Sequence, residues 1–139
     1  MSIRIKKLTV GDKIFSDTVS IKTELHNNLI SWLDTPEIEN VILEIKNDKL
    51  YWVSGTWYYG ETKWMIWLDG TFLYGTWNDG VFYNGKFVDG TCNGGIFMNG
   101  EVMNGSFKDT EFRKGVTIRN GEFKNCVMDD CKFLNGTIL

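Results

Sequence analysis

The 139-residue sequence carries 15 basic and 18 acidic residues, a net charge of −3, and 14% aromatic residues. It lacks the basic footprint of a nucleic-acid binder, and no apolar run approaches membrane-spanning length. The size bounds it to one domain, or to a repeat domain with a small cap.

Residues 1–54 read as an α+β capping segment. Ile3 to Leu8 alternates as an edge strand, Gly11-Asp12 marks a turn, and Ile14 to Ser20 gives a second short strand. Ile21, Leu25, Leu29, Ile30 and Leu33 recur at helical spacing and predict a helix ended by Asp34-Thr35-Pro36. Glu37 to Asn40 reads as one short turn. Val41 to Ile45 and Leu50 to Val53 then form a hairpin about Lys46-Asn47-Asp48-Lys49. Met1 to Lys7 carries no signal-peptide hydrophobic region, so a soluble, unsecreted, cytoplasmic protein is expected.

Residues 55–139 are built on a step of five. Trp57, Thr62, Trp67, Phe72, Trp77, Phe82 and Phe87 open the series, which runs on to Phe107 and Phe112. After one inserted residue, placed between Gly115 and Gly121, it resumes at Phe123, Met128, Phe133 and Ile138. A small residue, most often glycine, precedes the large one by two, as at Gly55, Gly70 and Gly85. Such fixed self-similarity marks a repeat architecture. A step of five fits neither helix nor flat strand, whereas Asn-Gly and Asp-Gly dipeptides supply a corner at each step. A solenoid of short strands and corners is the expected fold. Four steps per coil would place residues twenty apart in vertical files. Asp69, Asp89, Asp109 and Asp130 then form one outward column, and Trp57, Trp77 and Phe97 one inward file.

With its small-x-large spacing, the segment resembles the pentapeptide-repeat family. That resemblance implies a mainly β, right-handed, four-sided parallel β-helix of about four coils of about twenty residues, capped by the N-terminal α+β segment. The Gly-x-Trp/Phe-x-x-Gly run also looks like MORN repeats, which implies the alternative of an antiparallel hairpin meander.

The chemistry expected is non-catalytic. His26 stands alone on the predicted helix, and no nucleophile elbow, zincin or phosphate-loop motif is present. No metal or cofactor is expected. Cys92, Cys126 and Cys131 fall on inward slots and are expected as reduced thiols. The Asp column reads first as local turn bonding and, alternatively, as a ladder for cations or a basic partner. Tyr58, Tyr59, Trp64, Tyr74 and Tyr83 point outward, either packed beneath the capping segment or offered to a partner or sugar. Ile138 and Leu139 leave the C-terminal end uncovered, so a protein partner or a second copy is expected to dock there.

The expected function is a rigid scaffold protein acting through its ends and outer faces, with a composition reminiscent of a phage virion accessory or host-factor binder. The alternatives are a glycan or small-molecule binding module and, by the pentapeptide-repeat resemblance, a DNA-mimic topoisomerase inhibitor, which the weak charge disfavours.

Overall fold

The computed structural model describes residues 3–139. Met1 and Ser2, the start of the stretch read for a signal segment, lie outside the described residues. Strand β1 (Ile5–Val10) turns at Gly11 into β2 (Lys13–Phe15), and helix α1 covers Thr18–Asn27. Asp17 caps that helix, accepting the Ser20 N–H at 2.8 Å. The helix therefore starts within the predicted second strand: the cap outcompetes the β-branched run around Val19. A 3-10 turn at Ser31–Asp34 follows.

Strands β3 (Glu37–Lys46) and β4 (Lys49–Tyr59) form the expected hairpin. Asn47 and Asp48 both take positive φ, the signature of a type I′ turn. The short turn predicted at Glu37 to Asn40 is instead the first part of β3. Pairing of Ile38 and Glu39 with Trp57 and Thr56 draws it into the sheet.

Beyond the β3–β4 hairpin every ladder is parallel, and the register advances by fifteen residues, or sixteen where it spans one bulge. Trp52 lies against Trp67, Trp67 against Phe82, Phe82 against Phe97, and Phe97 against Phe112. Among the described residues antiparallel pairing is confined to β1–β2 and β3–β4, so the hairpin-meander alternative is overturned. The chain is mainly β, a parallel solenoid with a small helical segment near its N-terminus. Each coil has three sides rather than four, and there are six coils rather than about four.

The inward files are Trp52, Trp67, Phe82, Phe97, Phe112 and Met128 on the first side. On the second they are Trp57, Phe72, Phe87, Val102, Ile118 and Phe133. Thr62, Trp77, Cys92, Phe107, Phe123 and Ile138 make the third.

Packing gives the physical reason for three sides. Within a file the rings stack: Trp52 on Trp67 at 4.5 Å and 7°, Phe72 on Phe87 at 4.7 Å and 8°. Between files they meet edge to face, as Trp67 meets Trp77 at 6.1 Å and 75°. Both are favoured aromatic geometries. Three inward side chains per coil, two of them aromatic in most coils, thus fill the lumen, and a fourth side would open a void that costs dispersion contacts.

The inserted residue also sits earlier than the sequence suggested. The register slips between Phe97↔Phe112 and Asn99↔Gly115, so the bulge lies before Gly115. Val116 then occupies a small slot above Gly100, and Ile118 a large one above Val102; both are buried.

The N-terminal segment covers the first coil. β3 pairs along the backward edge of β4, Trp32 packs on Trp57 at 6.5 Å, and Ile21, Leu25 and Leu33 are buried in the same core.

Candidate interaction surface

Because large and small residues alternate inward, the residues flanking each large one form the outer walls. On the third wall Asn93 donates to Asn78 at 3.1 Å, and Asn78 donates to Glu61 at 2.8 Å. On the second wall Glu101 bridges Lys86 at 3.9 Å and Arg119. These ladders join side chains one coil apart, the sheet counterpart of cross-strand pairs.

The first wall is different. Ile66, Val81 and Ile96 stack on the outer side beside Leu68, Tyr83 and Met98, an apolar strip over three coils in which Ile66 is buried, Tyr83 exposed and the other four half-buried. A twenty-residue period scatters these residues, whereas a fifteen-residue period aligns Ile66, Val81 and Ile96 as a β-branched column.

The predicted Asp column does not exist. Fifteen-residue coils send Asp69 and Asp130 to the corner after the first side, where Asn84 and Asn99 lie between them. Asp89 goes to the corner after the second side and Asp109 to that after the third. Asp69 and Asp89 each accept the N–H of the following glycine at 2.8 Å, and Asp109 accepts from Asn125 at 2.6 Å. The first two are local bonds of the turn, and the third joins corners of successive coils. Asp79 and Asp109 line a shallow notch with Gly95, Ile96 and Asn125, but no group of three candidate metal-ligating side chains occurs among the described residues.

The outward aromatics are all exposed, so the capping segment does not bury them. They are also dispersed. Tyr58 lies on the second wall, Trp64 at the corner after the third side, and Tyr83 on the first wall. Only Tyr59 and Tyr74 come together, stacked at 5.8 Å and 19°. His26 sits exposed in the last turn of α1.

Cys92 is fully buried and bonded to the Gly94 carbonyl and Thr110 Oγ1, each at 3.3 Å; Cys126 and Cys131 are half-buried, and all three are free thiols. Burial pushes the Cys92 thiol up to about 12 from an ordinary 9.0. Between these values the unfolded chain has released a proton that the folded chain keeps, so stability present below pH 9 falls as pH rises. One such group gives a slope of at most about 1.4 kcal/mol per pH unit. In parallel chemical denaturations over this range, wild type should lose more stability than Cys92→Ala. Equal slopes would show that Cys92 titrates normally.

The two ends of the rod are unlike. At the far end Phe133, Leu134, Ile138 and Leu139 are 37%, 51%, 62% and 68% exposed, whereas the inward residues of the first five coils are buried. The sequence pointed to Ile138 and Leu139. It missed Phe133, an inward residue of the last described coil, and Val127 and Leu134, which flank inward residues on the outer walls. No protein-family model, curated protein or solved structure matches the chain.

Proposed function

We propose that this chain is a non-catalytic interaction protein, a stiff solenoid rod that docks through its C-terminal coil, with the apolar strip of the first wall as a second contact surface. The observation carrying this reading is the asymmetry of the ends: one is closed by β3, Trp32 and α1, the other presents uncovered apolar rungs. Unpaired strand edges beside exposed apolar side chains favour association.

The test is the fluorescence of an apolar dye such as ANS on highly diluted protein. The wild-type chain should bind the dye, and the Ile138→Lys, Leu139→Lys double variant should lose most of that signal while its circular dichroism is unchanged. An undiminished signal would put the exposed apolar surface elsewhere and sink the reading.

A further inference from the structure

We infer that the partner of the C-terminal coil is a second copy of this chain, seated tail to tail about a two-fold axis through Phe133; this rests on the docking end proposed above. Pairing by β3 and the seat of Pro36 against Gly60 close the opposite end to head-to-tail stacking. Self-association is then isologous and stops at two.

Backbone polarity supplies the first positive argument. In each coil the large inward residue directs its carbonyl to the coil beyond: Trp52 O accepts from Leu68 N at 2.7 Å, Phe112 O from Asp129 N at 2.8 Å, Phe123 O from Leu139 N at 2.8 Å. The same alternation aims the N–H and C=O groups of Met128, Phe133 and Ile138 out of the last coil. A two-fold axis across the rod sets two such edges antiparallel.

The pitch of the solenoid then selects the axis. The open edge climbs about one third of the ~4.8 Å coil spacing per side. It drops by a full spacing at the corner between the third side and the first. Rotation about a two-fold axis turns this spiral onto one of equal slope. The steps coincide only when the axis passes through the second side, opposite the drop; either other side leaves part of the interface a strand too far apart.

That axis fixes the register without further freedom. Phe133 faces its own copy, Met128 faces Ile138 of the second copy, and Val127 faces Leu139 of the second copy. All three outward-aimed residues fall into the antiparallel pairs that exchange both backbone hydrogen bonds. Lys132 lies opposite Leu134, and Asp129 opposite Thr137, so no like charges stand directly across. The apolar rungs exposed at the end are covered together.

Sedimentation velocity on the 139-residue chain should show a concentration-dependent doubling of the 16.0 kDa monomer mass. Dye signal per chain should fall in step with the doubling. Ile138→Pro removes an N–H aimed out of the coil but keeps the Thr137 and Leu139 bonds to the coil beneath, so it should weaken dimerisation on the order of tenfold or more. Should proline disturb the last strand by circular dichroism, Asn135→Cys provides a second test. It should oxidise to a covalent dimer with Cys131 of the second copy, whereas Asn120→Cys, one coil back, should not.

A monomer at every soluble concentration that still binds dye at its end would overturn self-pairing and leave the docking end standing. A monomer that binds no dye would overturn both. A trimer or filament, or a dimer indifferent to Ile138→Pro and uncrosslinked by Asn135→Cys, would also overturn the proposal.

Discussion

Gly85→Ala should destabilise the protein far more than Gly94→Ala, although both glycines hold φ above +100°. Neither conformation suits a residue with a Cβ, and the backbone strain alone costs about 1–3 kcal/mol at each site. The surroundings separate them. A Cβ at Gly94 meets nothing closer than 3.8 Å, whereas one at Gly85 falls 2.3 Å from the Gly70 carbonyl oxygen and 3.2 Å from Trp67 Nε1. That carbonyl accepts the Lys86 N–H at 3.0 Å, so it cannot swing aside without breaking a rung. Overpacking of this kind adds roughly 1–3 kcal/mol. The sum is a large part of an ordinary domain stability of about 5–15 kcal/mol. Thermal or urea unfolding of the two variants measures the difference. Equal losses would mean that strain, and not the close approach of coils at their corners, fixes glycine at position 85.

This close approach also explains why the five-residue step was legible. A corner where one coil's carbonyl sits under the next coil's α-carbon admits little besides glycine. The ring two residues later must fill the lumen. Gly70-Thr71-Phe72 and Gly85-Lys86-Phe87 therefore carry the same imprint on successive coils. The cap was partly legible for a different reason: Asn47-Asp48 and the Ile21–Leu25 turn depend on local chemistry and survived folding, whereas the helix expected to run to Leu33 stops at Asn27, with Leu29 exposed at positive φ. The helix start at Thr18 and the strand at Glu37 depended on the Asp17 cap and on pairing with β4.

The number of sides was not legible in the step, because a five-residue rule closes as well with four corners as with three. Asp69, Asp89, Asp109 and Asp130 resembled a column only because Asp or Asn serves the corner position on every side. The discriminating signal lay in the wall residues, where Ile66, Val81 and Ile96, or Thr76, Thr91 and Ser106, match at fifteen. The lone C-terminal apolar pair was legible, but not its Phe133 centre, since Phe133 follows the same pattern as the buried phenylalanines.

Spin labels read the fifteen-residue coil directly. Thr76 and Thr91 are register partners on the third wall. Labels on Thr76→Cys and Thr91→Cys would project side by side from strands about 4.8 Å apart. Thr71 and Thr91 are twenty residues apart and stand on different walls. Substituting Cys92, Cys126 and Cys131 by Ala gives a background free of competing thiols for both pairs. Continuous-wave electron paramagnetic resonance should show strong dipolar broadening for 76 with 91 and a spectrum close to the sum of single labels for 71 with 91. The reverse, broadening at twenty residues and none at fifteen, would contradict the three-sided coil, and the wall, corner and end assignments would fall with it.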